Sequence, residues 1–226
     1  MSVNLATYTS LKPRSISAQI AMRQRRRMYD AFIALTKIGP SDTVLDVGAT
    51  SDRDHEISNF FEALYPHKAQ ITAVGLDDAA FLEQLYPGLK FTRADARNLP
   101  FVDKAFDFVF SNAVIEHVGS SEQQLQFLRE LLRVSRRGVF ISTPNRWFPV
   151  EFHSVIPLVH WLPPNTFRRI LRLSGNPFLA DEQNLNLLSA RKLAELAHHA
   201  GVANPRLLNV RLGGWPSNLI LHVRRE

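Results

Sequence analysis

Polar side chains recur where consecutive predicted strands end. These positions are Asp46 with Gly48, Asp77, Asp95 with Ala96, and Asn112. Because open α/β sheets bind ligands at the carboxyl ends of their strands, we expect these residues to share one site. A carboxylate at Asp77 can accept hydrogen bonds from both hydroxyls of a ribose, and Asp95 can accept amino hydrogens of an adenine ring. Taken alone, each of these residues could be an acid in a loop or the cap of a helix. Their occurrence in order, at the ends of consecutive strands, is what favours a nucleoside site.

The loop after the first strand departs from the glycine-rich pattern of nucleotide-binding folds. It reads VLDVGATSD, with Thr50 and Asp52 where further glycines are expected. Gly48 lets the backbone approach a ligand, whereas the β-branched Thr50 is poorly suited to a positive φ. Negative charge from Asp52 and Asp54 would repel a pyrophosphate, which argues against an NAD site, and would attract an amino group. We expect Thr50 to take part in binding through its hydroxyl.

An alternation of strands and helices must position these residues. A basic amphipathic helix is predicted over residues 14–38, with its arginines on or near the solvent side. Strands are then predicted at TVLDV, ITAVGL, KFTRA, FDFVFSNA and GVFISTP, with helices between them. A last helix precedes LLNVRL and SNLILHV, which form a hairpin across Gly213–Pro216. The fold class is therefore α/β, with a doubly wound, mostly parallel seven-stranded Rossmann-like sheet and a C-terminal antiparallel hairpin.

Composition divides the single predicted domain of 226 residues into four parts. Residues 1–40 form the basic helix, with seven Lys and Arg against one acid, a net charge of +6. Residues 41–143 form the binding core, with ten against fifteen, a net charge of −5. Residues 144–180 hold six of the thirteen prolines and many aromatic residues, and are predicted to form a lid, a structural cap or a dimer contact. Residues 181–226 supply the closing helix and hairpin.

The basic ends predict an anionic partner or, equally, a solvated basic face. A phosphate-bearing substrate, a membrane surface and RNA are the candidate partners. We expect the basic helix to serve the acceptor rather than the cofactor. The absence of cysteine excludes a disulfide framework and a thiolate metal site. With neither a signal peptide nor a membrane span apparent, the sequence predicts a cytoplasmic protein that is either free or peripheral to the membrane.

Several stretches resemble the class I S-adenosylmethionine-dependent methyltransferases, in particular their type 11 branch. They are VLDVG, ITAVGLDD, RADARNLPFVDKAFDFVFSNAVIEHV and FLRELLRVSRRGVFISTPN, and the likeness covers about residues 40–145. The resemblance implies S-adenosyl-L-methionine as cofactor, held by Asp46, Gly48, Thr50, Asp77, Asp95, Ala96 and Asn112. It also implies methyl transfer to a small-molecule, glycan or lipid-linked acceptor, for which we favour oxygen as the methylated atom. The WFPVEFH stretch is weakly similar to bacterial methyltransferases acting on glycans or lipid-linked intermediates.

A catalytic base is needed only if the acceptor must lose a proton. The candidates are Glu116, His117, and either His153 or His160 of the insert. Glu116-His117 is similar to the pair in ubiquinone-pathway O-methyltransferases, where a glutamate three residues earlier helps to bind a metal. Ala113 takes that place here, and His153 and His160 lack acidic or cysteine partners at ligand spacing, so no metal site is predicted. His117 fits equally well as a residue packed at a helix start.

Three alternatives to a small-molecule methyltransferase follow from the same residues. The basic helix is compatible with an RNA methyltransferase, although its arginines lack the interleaved aromatic residues that stack on bases. The arginines together with the tryptophan-rich insert are compatible with an enzyme that touches anionic lipid. The altered glycine loop is compatible with a non-catalytic binding protein that has kept the fold.

Overall fold

A seven-stranded sheet runs through the protein in the order β3-β2-β1-β4-β5-β7-β6. The computed structural model describes residues 16–53 and 58–225. The strands are β1 (Val44–Val47), β2 (Ile71–Gly75), β3 (Lys90–Arg93), β4 (Phe106–Asn112), β5 (Ser135–Pro144), β6 (Arg206–Leu212) and β7 (Trp215–Arg224). The first five pair in parallel, and β7 runs antiparallel to both β5 and β6. The predicted fold class is confirmed.

The chain reverses its direction of winding between β1 and β4. Val47 pairs with Val74 on one side and with Ser111 on the other, so the carboxyl ends of β1, β2 and β4 lie side by side. Strand β4 is buried on both faces except at its last residue, which explains why FDFVFSN is apolar almost without alternation. The switch point of such a sheet is where ligands bind.

Helices cover both faces of the sheet. Helices α1 (Ile16–Thr36), α2 (Phe60–Leu64) and α3 (Phe81–Leu85) share one apolar cluster with β1, β2 and β4. Helices α4 (Ser121–Val134) and α6 (Ala190–His199) share the cluster on the other face. Phe32 anchors α1, because its fully buried ring lies 5.2 to 5.6 Å from the rings of Phe61, Phe110 and Phe140. Residues 14 and 15 of the predicted helix lie outside the described residues.

The segment between β5 and α6 has a small apolar core of its own. It contains a 3₁₀ turn at Val159–Trp161 and a helix, α5 (Pro164–Leu173), which the sequence analysis did not predict. Proline at the first helical position fixes a suitable φ without losing a needed hydrogen bond. The core is formed by Phe167, Leu171, Leu179, Ala180, Leu185 and Leu187. The packing of this insert therefore extends beyond residue 180.

The closing hairpin is tighter than predicted. Leu212 pairs with Trp215, so Gly213 and Gly214 alone form the turn, and Pro216 lies within β7. Both glycines have positive φ, 57° and 86°, as a two-residue hairpin turn requires. Across the described ranges, every helix is too short or too polar to cross a lipid bilayer.

Candidate active site

The carboxyl ends of the central strands open into a cavity of about 700 Å³. The seven predicted cofactor-binding residues all line it: Asp46, Gly48, Thr50, Asp77, Asp95, Ala96 and Asn112. Of the predicted catalytic residues, His117 and His153 line the same cavity. Glu116 is fully buried and does not line it. The structure thus brings together strand ends of the core and part of the insert.

Two glycines allow the backbones after β1 and β2 to touch. A Cβ at residue 75 would lie 2.1 Å from the carbonyl oxygen of Ala49. Gly48 has a φ of 122°, and a Cβ there would lie 2.4 Å from Cγ2 of Val114. The backbone amides of Gly48 and Ala49 both donate to the carbonyl oxygen of Val74, at 2.9 Å. The sequence analysis missed Gly75, whose signal is a glycine at the end of an apolar strand.

The altered loop is held by an asparagine instead of by glycine flexibility. Asn59 accepts a hydrogen bond from the Thr50 amide at 2.8 Å and donates to the Thr50 carbonyl at 3.0 Å. Thr50 keeps a negative φ, so the expected conflict between its β-branch and a positive φ does not arise. The Thr50 hydroxyl accepts from the Asp52 amide, and Ser58 donates to the Asp52 carboxylate at 2.7 Å. Asp54 lies outside the described residues.

Two buried carboxyls and an arginine are among the residues that line the cavity. Asp46 and Glu62 are both buried, and burial raises the pKa of each, with the neighbouring Glu62 raising that of Asp46 further. Arg25 also lines this cavity, although the helical pattern placed it on or near the solvent side. Burial lowers its pKa to about 10. Its Nε is shielded from solvent and has no hydrogen-bond partner among residues 16–53 and 58–225.

Two strand-end carboxylates, Asp77 and Asp95, also line the cavity. Asp77 is nearly buried and follows β2 by two residues. Asp95 forms a two-pronged ion pair with Arg97, with contacts of 2.6 and 3.0 Å, and this hydrogen bonding lowers the pKa of Asp95. Asp95 thus also organises its own loop, a role that was not predicted from the sequence. The amide oxygen of Asn112, which lines the cavity too, accepts a hydrogen bond from Ser142 at 2.7 Å.

Four ionisable side chains form what we term the Glu–His cluster: Glu116, His117, Glu151 and His153. The rings of His117 and His153 are 4.7 Å apart, and His117 Nε2 lies 3.9 Å from Glu116 Oε1. His153 Nδ1 contacts Glu151 at 2.6 Å, and His117 Nδ1 contacts the carbonyl oxygen of Asn184 at 2.7 Å. The sequence analysis gave His153 no acidic partner; this is corrected by Glu151, which two backbone amides hold in a turn.

The cluster sets the protonation of its members. Burial raises the pKa of Glu116 to about 7, although His153 and the Thr143 hydroxyl oppose the shift. Burial, aided by His153, lowers the pKa of His117 to about 3. Burial also opposes ionisation of Glu151 and His153, but their mutual contact lowers the pKa of Glu151 to about 2 and raises that of His153. His117 is therefore neutral at pH 7, while Glu151 is ionised.

Comparison with known proteins gives a family and a fold. The family model described as "Methyltransferase domain", of type 11, matches residues 45–142. A curated relative is the ubiquinone/menaquinone biosynthesis C-methyltransferase UbiE of Xylella fastidiosa (strain M12). It is 28% identical over an alignment 144 positions long, which covers 58% of this chain and 56% of the relative. The match thus spans little more than half of the relative's length.

Two solved structures share the fold at low sequence identity. The 1,6-didemethyltoxoflavin-N1-methyltransferase of Burkholderia thailandensis, with S-adenosylhomocysteine bound, has a TM-score of 0.58 and 17% identity. That alignment covers 89% of this chain and 78% of the other. The [4+2]-cyclase SpnF has a TM-score of 0.59 and 16% identity, with 96% and 85% covered. The same fold therefore supports more than one chemistry.

We predict that Asn59 is what orders the altered loop. Asn59→Gly keeps the left-handed backbone (φ 51°) but removes the amide, so the Thr50 N–H loses its acceptor. Hydrogen exchange at the Thr50 amide should become faster, and the free energy of unfolding should fall by about 1–2 kcal/mol. Ser58→Ala, which removes only the contact to Asp52, is the control and should leave Thr50 protected. A Thr50 amide that stays protected in Asn59→Gly would contradict the assignment.

Proposed function

Residues 45–142 belong to the type 11 methyltransferase domain family, and from this premise we propose that the protein is an S-adenosylmethionine-dependent methyltransferase. Its acceptor, in this proposal, is a hydroxyl group on a lipid-linked molecule. The observation that carries the proposal is the single cavity at the carboxyl ends of β1, β2 and β4. It is lined by all seven predicted cofactor residues together with two histidines.

The chemistry of the cavity fits this cofactor. Arg25, which lines the cavity, has a shielded Nε without a partner in the described residues, which suits a carboxylate. The buried Asp46 and Glu62 also line the cavity and suit an α-ammonium group, whose positive charge would favour their ionised forms. Asp77 suits the ribose hydroxyls. When bound, S-adenosylmethionine supplies a methyl group activated by a sulfonium. The protein's part is to align the acceptor with it and to exclude water.

The Glu–His cluster supports a hydroxyl acceptor. A hydroxyl loses its proton on methylation, and this requires groups that accept or displace the proton. His117 and His153 line the cavity, and the second is oriented by the Glu151 carboxylate at 2.6 Å. A carbon or nitrogen acceptor that is already nucleophilic would not need such a cluster.

The insert supports an acceptor with an apolar tail. It carries seven exposed large apolar side chains, namely Trp147, Phe152, Val155, Leu158, Trp161, Leu162 and Leu173, out of twelve in the described protein. Phe152 and Val155 also line the cavity, so the apolar surface continues to its mouth. Helix α5 adds Arg168, Arg169 and Arg172 to the same insert. An apolar surface beside basic residues matches an anionic lipid surface.

We predict that Asp77 anchors the ribose. Asp77→Ala should weaken binding of S-adenosylmethionine by roughly 2–3 kcal/mol, about 30- to 150-fold, as expected for lost hydrogen bonds to a charged group. Titration calorimetry measures the dissociation constant directly. Asp78→Ala is the matched control, since the Asp78 side chain contacts the Ala80 amide. Normal binding by Asp77→Ala together with weak binding by Asp78→Ala would move the assignment by one residue.

We predict that Arg25 holds the cofactor's carboxylate, which revises the expectation that the basic helix serves the acceptor alone. Arg25→Gln should weaken S-adenosylmethionine at least tenfold while leaving decarboxylated S-adenosylmethionine nearly unaffected, because only the former presents a carboxylate. Arg26→Gln, on the exposed side of α1, is the control. Equal losses for both ligands would place Arg25 in a structural role.

The lipid surface can be tested with the three tryptophans of the chain. With anionic vesicles, Trp215→Phe, which leaves only the insert's Trp147 and Trp161, should show a blue-shifted emission. Trp147→Phe with Trp161→Phe, which leaves only Trp215, should show none. Flotation should weaken at high salt because anionic headgroups are screened. An unchanged emission in Trp215→Phe, or binding to RNA but not to vesicles, would contradict the lipid-linked acceptor.

A further inference from the structure

We propose that Glu116, His117 and His153 form a binding site for a divalent transition-metal ion of the zinc type. One possible ligand atom of each residue lies within 4.8 Å of the others. In a tetrahedral zinc site with bonds of about 2.0–2.1 Å, ligand atoms are roughly 3.3 Å apart, so closure needs side-chain movements on the order of 1 Å. Two imidazoles and one carboxylate suit zinc, iron or manganese better than magnesium or calcium.

The outer contacts orient both imidazoles for metal binding. The Asn184 carbonyl oxygen can only accept, so His117 Nδ1 donates to it and the lone pair of the neutral ring lies on Nε2. His153 Nδ1 donates to Glu151 in the same way, which directs Nε2 of that ring towards ligation. A carboxylate behind a ligating histidine is the usual second layer of a zinc site. Glu151 is thus a positioning residue, fixed by the backbone amides of His153 and Ser154.

The third ligand, Glu116, has one buried carboxylate oxygen that is available to a cation. Thr143 donates to Oε2 of Glu116 at 2.8 Å. Oε1 is shielded from solvent and accepts no hydrogen bond within the described part of the chain. An unpartnered buried carboxylate oxygen is unfavourable, and a bound cation would relieve it. This oxygen is the one that lies 3.9 Å from His117 Nε2.

The site offers open coordination positions on the cavity side. The residues that the structure describes supply three protein ligands, and the two histidines line the cavity, as in zinc sites that keep one position for water or substrate. A hydroxyl bound there would ionise at a lower pH, its proton leaving to water. The metal site is inferred from the geometry of its ligands alone, whereas its role in ionising an acceptor hydroxyl rests on the proposed function.

The sequence analysis predicted no metal because Ala113 occupies the place of a glutamate ligand. Ala113 has a φ of 54° at the end of β4, and its amide donates to the Ser142 carbonyl. In the structure, His153 of the insert brings a third possible ligand to Glu116 and His117 from a distant segment. The zinc-type assignment follows from this set of two imidazoles and one carboxylate.

The test is metal binding by the full chain after dialysis against a chelator. Calorimetry with ZnCl₂ should give one site per chain, and Co²⁺ should give visible absorption bands, while Mg²⁺ should not compete. Glu116→Gln and His153→Ala should each weaken zinc at least about 30-fold, and Glu151→Gln should weaken it about 10- to 100-fold. His198→Ala with His199→Ala, on α6, is the control for adventitious binding and should bind as the wild type does.

Two results would overturn the inference. One is an absence of stoichiometric zinc binding in the wild-type chain. The other is wild-type affinity in both Glu116→Gln and His153→Ala, each checked for its fold by circular dichroism; Glu116→Gln is nearly isosteric, which guards against unfolding. S-adenosylmethionine titrated into the chelated protein separates this proposal from the previous one. Cofactor binding without any zinc uptake overturns the metal site alone, and zinc uptake without cofactor binding overturns the proposed function alone.

Discussion

The backbone contact between the loop after β1 and the end of β2 is the constraint on which the site depends. With the Ala49 carbonyl only 2.1 Å from where a Cβ of residue 75 would be, no side chain fits at that position. The Val74 carbonyl accepts two amides of the loop, which holds the ends of β1 and β2 together where Asp46 and Asp77 line one cavity. Because this contact uses backbone atoms, it does not depend on the side chains at positions 50 and 52. The loop that carries Thr50 and Asp52 is instead secured by Asn59, which has a left-handed backbone conformation.

The features that could be predicted are those that a short stretch of sequence specifies by itself. An apolar run ending in a polar residue specifies both a buried strand and the strand end that faces a ligand, so the α/β fold class follows from stretches such as TVLDV and ITAVGL. The fold was predicted on that basis and is confirmed. The class of domain was predicted from the resemblance of longer stretches to a known family, and the family model that matches residues 45–142 agrees with it. The cofactor residues stay a prediction, although all of them line one cavity.

The features that depend on distant segments were missed. A helical period separates two faces of α1 but does not reveal that the cavity reaches the flank that carries Arg25. Glu151 and His153 are only two residues apart, but the cluster also needs Glu116 and His117, which lie more than thirty residues earlier in the chain. Only the fold brings the two pairs together. Helix α5 is short and follows two prolines, so composition favoured an irregular lid. The same limit applies to chemistry, because the fold alone does not decide the reaction, and one solved structure with this fold is a cyclase.

The Glu–His cluster joins two units that fold around separate cores. Glu116 and His117 belong to the segment after β4, whereas Glu151 and His153 belong to the insert with its own apolar cluster. Any ion or molecule held across the cluster binds only while the insert is docked, so by linkage it adds to the docking stability of the insert. Local opening of residues 145–188 then becomes rarer as more of the Glu–His clusters are occupied, whereas local opening in the rest of the protein does not change to match.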